Sequence, residues 1–211
     1  MAEIEENQVP ESYRLLQNKL SFNKHIPYTK DWSAAADFLQ IIADHCLNSK
    51  PTTVLECSSG LTTLILARCC QINHHGHVYS LENGGEYVAK TRDSLLQYQL
   101  DDYASVIHSP LINTTLNNKN FMWYSIENIP DKTIDMLVID GPPGFIQQHS
   151  RYPAIPMLYK KLASQCTIFM DNAARDDEKE IVKLWLSEYP SIKHEYIDAE
   201  RGCSVLTING Q

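Results

Sequence analysis

Two kinds of apolar pattern alternate along the chain, and their alternation sets the architecture. Short runs of apolar or β-branched residues at 53–55, 77–81, 104–108, 134–139 and 166–170 read as buried parallel strands. Between them apolar residues recur at helical spacing. Ala36, Phe38, Leu39, Ile42 and Cys46 fall largely on one face of a helix over 33–46, with Ser33 placed to cap it. Leu61, Leu64, Ile65, Ala67 and Cys69 mark the helix after the first strand. Further helices are predicted over 11–20, 87–100, 155–163 and 176–189, with a short one over 121–129 that carries Trp123 and Tyr124. Residues 113–120 read as a polar loop. Segments 192–199 and 203–208 flank Glu200-Arg201-Gly202, which reads as a hairpin turn.

Strands alternating with helices predict an α/β fold. The expected form is Rossmann-like and doubly wound, with a mostly parallel seven-stranded sheet closed by a C-terminal antiparallel hairpin. The domain is expected over 33–211, after an N-terminal extension over 1–32 that has frayed first residues, 1–11, and a short helix. Ligands in such sheets bind at the carboxyl ends of the strands, near the switch in strand order. Glu56, Glu82, His108, Asp140 and Asp171 all lie at predicted carboxyl ends, so one rim gathers four carboxylates.

The strongest local signal on that rim is the stretch 51–63, PTTVLECSSGLTT. A strand runs into a turn of small residues, Ser58, Ser59 and Gly60, and then into a helix N-terminus. Amides at a helix start lack intrahelical partners, and Gly60 lets the backbone approach a ligand. This suits a nucleotide-type site. The turn holds one glycine and not the three of the dinucleotide fingerprint.

Charge and composition narrow the partners. With a net charge of -8, the chain is not expected to bind a nucleic-acid backbone. No apolar run approaches the roughly 20 residues needed to span a bilayer. The acidic start, MAEIEENQVPE, lacks the order of a secretion signal, so no membrane partner and a cytoplasmic location are expected. The six cysteines sit mostly in apolar runs and read as reduced core residues. Cys69, Cys70, His74, His75 and His77 cluster in sequence, but their spacing matches no zinc motif.

Four segments in order, LECSSGLTT, VYSLEN, IDMLVIDGPPG and TIFMDNAARDDE, resemble the motifs of class I S-adenosylmethionine-dependent methyltransferases. The resemblance covers roughly residues 33–208. It implies S-adenosylmethionine as cofactor, with Glu56, Ser58, Ser59 and Gly60 cradling its methionine part. It places Glu82, with Asn83 beside it, at the ribose, where a bidentate carboxylate suits a vicinal diol. It puts His108 and Ser109 near the adenine, and Asp140 and Gly141 on the same rim as further cofactor-binding residues. The family usually shows Glu-x-Gly-x-Gly, and this chain has Ser58 at the first glycine.

A narrower resemblance concerns a metal. Asp140 and the pair Asp171-Asn172 match the positions of an aspartate and an Asp-Asn pair in metal-dependent O-methyltransferases of the catechol and caffeoyl-CoA type. That implies Mg²⁺ or another divalent cation on Asp140, Asp171 and Asn172, holding and activating an acceptor hydroxyl. The alternative is that Asp171-Asn172 caps the following turn. Catechol-type enzymes carry a lysine base just after the first aspartate, where this chain has Gly141-Pro142-Pro143-Gly144. Asp140-Gly141-Pro142 is instead similar to glucuronoxylan methyltransferases, which act on a sugar. The candidate catalytic residues are Asp140, His149 and Arg151, the last two where a lid over the acceptor would sit. The expected partner is a small-molecule acceptor with a hydroxyl, a sugar or a phenol; self-association is left open. Two other readings stand beside this one. One is a Rossmann-like nucleotide-sugar or nicotinamide enzyme, against which the single Gly60 speaks. The other is a non-catalytic binding protein that keeps the fold, supported by Ser58 and the missing lysine.

Overall fold

A computed structural model describes residues 9–208; the remainder of the expected frayed start, residues 1–8, lies outside the described residues. The chain begins with α1 (Glu11–Lys19) and α2 (Ala36–Ser49), followed by β1 (Thr53–Cys57), α3 (Leu61–Asn73), β2 (His77–Glu82), α4 (Gly85–Gln97) and β3 (Ala104–His108). Next come β4 (Leu111–Leu116), β5 (Lys119–Tyr124), β6 (Ile134–Ile139), α5 (Ala154–Leu158), a single 3₁₀ turn over Tyr159–Lys161 and β7 (Leu162–Met170). The chain closes with α6 (Asp176–Glu188), β8 (Ile192–Ile197) and β9 (Cys203–Ile208).

The main sheet has seven strands in the order β3-β2-β1-β6-β7-β9-β8. The first five are parallel, β9 runs antiparallel to both β7 and β8, and the expected doubly wound fold with its closing hairpin is what forms. Period-two alternation divides the core. Val54, Met136 and Val138 face a layer with Leu16, Phe38, Leu39, Ile42 and Ile65, while Leu55, Cys57, Leu137 and Ile139 face Trp123, Ile155, Leu158 and Trp185. Tyr13, Leu16, Leu20 and Ile26 pack in the first layer, so the segment before Ser33 shares the domain's core. All six cysteines are buried free thiols, while His74 and His75 stay exposed.

Three local expectations are overturned. The polar loop over 113–120 and the helix over 121–129 are instead a two-stranded hairpin, β4 against β5. Asn117 and Asn118 both take left-handed φ, 49° and 60°, as the favoured two-residue hairpin turn requires. Phe121, Trp123 and Tyr124 are buried from this ribbon while Met122 faces out. The expected helix 155–163 stops at Leu158, and β7 begins four residues before the expected 166 because Leu162 is already paired with Ile134. Ser33 does not cap α2. Its Oγ accepts the Thr29 amide at 2.9 Å and closes the preceding turn, and α2 starts after Ala35 with no side-chain cap.

Candidate active site

The strand order reverses between β1 and β6, since β1 pairs with β2 on one side and β6 on the other. A crevice opens beyond the carboxyl ends there. The turn after β1 enters it. Ser58 has φ 113° and Gly60 φ 136°, both in a region that side chains rarely adopt. A Cβ placed on Gly60 would meet nothing within 4 Å, so the backbone borders open space. The Gly60 amide donates to Thr63 Oγ1 at 3.0 Å.

Glu56, at the end of β1, is fully buried. The hydroxyls of Thr63 and Ser80 donate to its Oε2 at 2.7 and 2.5 Å, and its Oε1 has no partner. Burial outweighs the two donors and pushes the carboxyl up to about 8, with the charges of Asp140 and Glu82 adding to the rise. Glu82, at the end of β2, is better served. The Ser59 hydroxyl donates to its Oε2 at 2.8 Å and the Gly84 amide to its Oε1 at 2.9 Å. Each carboxylate oxygen keeps a second acceptor site. Ser59 thus ties the first turn to the acid that ends β2. Asn83, next in the chain, is half-buried. His108 is paired in register with Glu82 and exposed; Ser109 is buried with its hydroxyl unpartnered.

Asp140 and Gly141 follow β6 directly beside this turn. A Cβ on Gly141 would meet the Tyr124 hydroxyl at 2.5 Å and Ser58 Cβ at 3.2 Å, so only glycine lets the hairpin and the first turn close on the rim. The Asp140 side chain is 18% exposed, and its carboxyl is pushed up to about 7 by burial first and then by the charge of Asp171, against the pull of Arg151. Asp171 is buried with Oδ1 unpartnered, and burial raises its carboxyl while Arg151 opposes.

Arg151 lies between them and is 2% exposed. Its Nη1 donates to the Asp171 carbonyl at 2.6 Å; its Nη2 donates to the Asp140 carbonyl at 2.8 Å and to Asn172 Oδ1 at 3.2 Å. The same Nη2 sits 3.7 Å from Asp140 Oδ1, and Nε sits 3.8 Å from the buried carboxylate of Glu178. Asn172 takes φ 58°, and the amides of Ala173 and Ala174 donate to the carbonyls of Gly202 and Arg201 at 3.0 Å each. Gly202 allows this: a Cβ there would meet Ala174 N at 2.5 Å.

His149 has another place than the expected one. Its ring lies 2.9 Å from Glu180 and 3.7 Å from Asp177, and its amide donates to Asp177, so it is tied to α6. Of the six buried side-chain atoms without a hydrogen-bond partner among the described residues, those of Arg151 and Glu178 belong to side chains that face each other 3.8 Å apart, and three others lie along this rim, in Glu56, Ser109 and Asp171. Buried polar groups are ordinarily satisfied, so this concentration marks where a ligand's polar atoms belong.

A family of methyltransferase domains matches residues 55–173, more than half the chain and the whole span from β1 to the loop after β7. The chain belongs to this methyltransferase family. Comparison with curated proteins finds no match. Solved structures show the same fold. An SAH-bound methyltransferase of Podospora anserina superposes with a TM-score of 0.66 at 14% identity, over 96% of this chain and 89% of that one. An O-methyltransferase of Bacillus cereus in complex with SAH gives 0.65 at 14%, over 95% and 92%. The O-methyltransferase TomG of Streptomyces achromogenes, involved in tomaymycin synthesis and in complex with SAM, gives 0.66 at 12%, over 96% and 92%.

In this methyltransferase the expected metal ligands share their site with a buried cation, Arg151. Asn172 Oδ1 already accepts from a guanidinium that also lies against Asp140. Like charges about 4 Å apart repel by about 4 kcal/mol per unit charge at a protein rim, so the fixed Arg151 charge offsets about half of the attraction that the Asp140 and Asp171 carboxylates offer a divalent ion. Among the described residues no group of three or more His, Cys, Asp or Glu side chains is placed to hold a metal; the expected set, two aspartates and an asparagine, is of another kind.

A cavity of about 760 Å³ opens in front of Asp140, Arg151, Asp171 and Asn172. Sequence reasoning missed several of its walls. Trp32 and Phe145 border it although 67% and 80% exposed, and Arg175, Arg201 and Glu178 complete it. Glu178 was legible. It begins the stripe Glu178, Ile181, Val182, Trp185 that faces the core, whereas Asp176 and Asp177 stand outside that spacing. Trp32 and Phe145 carry no such signal, because loops follow no period. Trp123 and Tyr124 are core residues.

Proposed function

We propose that this methyltransferase transfers the methyl group of S-adenosylmethionine to a hydroxyl of a small molecule, a phenol or a sugar. The observation that carries the reading is the rim at the switch in strand order. There Glu82 has acceptor capacity to spare, Ser109 offers an unpartnered buried hydroxyl, and the backbone at Gly60 borders open space. These fit a ribose, an adenine and an amino-acid tail in succession. The neighbours in complex with SAH or SAM, two of them O-methyltransferases, support the same cofactor and the same acceptor atom.

When bound, S-adenosylmethionine supplies an electrophilic methyl on a sulfonium, so the protein's task is alignment and proton removal. Glu82 anchors the ribose diol, and Ser59 holds that carboxylate in place. The Asp140 carboxylate, partly exposed to the cavity and held above the ordinary carboxylate range by burial and the charge of Asp171, takes the acceptor's proton. Arg151 fixes Asp140 through its carbonyl and is itself almost fully buried at the cavity wall. Trp32 and Phe145 offer apolar faces that an acceptor would cover. The acidic chain disfavours a nucleic-acid acceptor.

The test is incubation with methyl-labelled S-adenosylmethionine and a panel of phenols, sugars, amines and thiols, read by product mass. The expected products are methyl ethers, lost in Asp140→Asn while S-adenosylhomocysteine still binds. Transfer to amines or thiols with none to any hydroxyl would contradict the proposal.

A further inference from the structure

The three residues that would ligate a metal all lie against one side chain, and that side chain is a cation: it bonds the Asn172 amide oxygen and the backbone carbonyls of Asp140 and Asp171, and leaves Asp171 Oδ1 without a partner. We infer that the Arg151 guanidinium is the resident cation of this site and that the protein neither needs nor holds a divalent metal there. The inference rests on the proposed reading only in taking this rim to face the acceptor.

The contacts are specific. Arg151 bonds the carbonyls of Asp171 and Asp140 and the Asn172 amide oxygen, at 2.6, 2.8 and 3.2 Å. Its charge lies 3.7 Å from Asp140 Oδ1 and 3.8 Å from Glu178 Oε1. A guanidinium does not lose its proton in a protein, so the charge is permanent. It is also nearly inaccessible, with its side chain 3% exposed, so solvent does not screen it and an incoming ion cannot push it into water without unburying it.

The arrangement does three things a bound metal would do. It places positive charge beside Asp140 and Asp171, which otherwise repel each other across a desolvated rim. It fixes the backbone after β6 and after β7 by one planar fork, as a shared ligand shell would. It occupies one of the two acceptor sites of the neutral oxygen of the set and puts a fixed positive charge against it, leaving two carboxylates of which one faces that same charge. It does not present a Lewis-acidic face to the acceptor, because a guanidinium offers N–H donors and no open coordination position. That difference leaves proton removal to the Asp140 carboxylate and assigns Arg151 a positioning part. Arg175 and Arg201 also border the cavity, so the rim keeps positive charge without an ion.

The experiment titrates the full-length protein with Mn²⁺, followed by calorimetry and by the electron paramagnetic resonance of free Mn²⁺. Wild type should show no saturable binding at millimolar Mn²⁺. Arg151→Met keeps length and bulk but removes the charge and frees Asn172, and it should gain a single Mn²⁺ site at least about tenfold tighter than any in wild type. Arg151→Lys restores a charge and should bind no Mn²⁺. A merely structural arginine would leave Mn²⁺ affinity unmoved in both variants. Stoichiometric Mn²⁺ binding to wild type that is lost in Asp171→Asn would overturn the inference, and this arm decides even if the Arg151 variants fail to fold. Equal, weak Mn²⁺ binding in wild type and in folded Arg151→Met would overturn it as well. None of these readings depends on turnover, so they stand apart from the identity of the acceptor.

Discussion

Glu56 should make the protein less stable as pH rises through neutrality, and Glu56→Gln should remove that dependence. In the folded protein its carboxyl titrates at about 8, against an ordinary value of 4.5. Between those two values the folded state keeps a proton that the unfolded chain gives up. Stability therefore falls with rising pH across that window and levels off above the folded-state value. Each pH unit inside the window is worth about 1.4 kcal/mol. At pH 7 the cost relative to pH 4.5 is on the order of 3 kcal/mol, a large part of the 5–15 kcal/mol typical of a folded domain. The cause is burial: the two hydroxyl donors both serve Oε2, and Oε1 has no hydrogen-bond partner. Urea unfolding of wild type and Glu56→Gln from pH 5 to 8.5 reads the effect directly. Other titrating groups are common to both proteins and largely cancel in the difference. The advantage of Glu56→Gln over wild type should grow steadily with pH and flatten above about 8. A difference constant across the range would refute the reasoning and show Glu56 ionised in the fold.

Ser58→Gly should stabilise the protein by about 1 kcal/mol, because a side chain at φ 113° carries strain that glycine lacks; melting should rise by about 2–4 °C. Gly141→Ala should destabilise by about 1–3 kcal/mol through the clash with the Tyr124 hydroxyl, and Tyr124→Phe should recover part of that loss in the double variant, measured by chemical unfolding. Thiol titration of native protein should find almost no reactive groups and denatured protein all six, since burial raises the thiols of Cys57, Cys166 and Cys203 and leaves none of the six exposed.

The sheet and its order of elements were legible because buried strands and amphipathic helices leave different periods in sequence. β1 and β6 read as strands for this reason, and Glu56, Glu82 and Asp140 followed as strand ends. The hairpin β4–β5 was not legible. Asn117-Asn118 is a weaker turn signal than Asn-Gly, and the adjacent buried pair Trp123 and Tyr124 breaks the alternation that marks a strand. Ser33 looked like a cap by residue type, but a serine hydroxyl serves whichever amide is nearest, here that of Thr29. The strongest contrast is Arg151. Nothing in its neighbours announces burial, since its partners Asp140, Asp171, Asn172 and Glu178 come from three other stretches of chain. Sequence pattern gathered the acids at the rim. Only packing shows which cation sits among them.

The central claim is that the rim from Gly60 through Glu82 to Ser109 holds S-adenosylmethionine, and calorimetric titration of S-adenosylhomocysteine into wild type and Glu82→Ala tests it most directly. Wild type should bind one equivalent. Glu82→Ala should bind more weakly by about 1.5–3 kcal/mol for each charged hydrogen bond lost to the ribose diol, while unfolding shows that the fold is kept. Equal affinity in the two proteins, or no binding to wild type, would contradict the account.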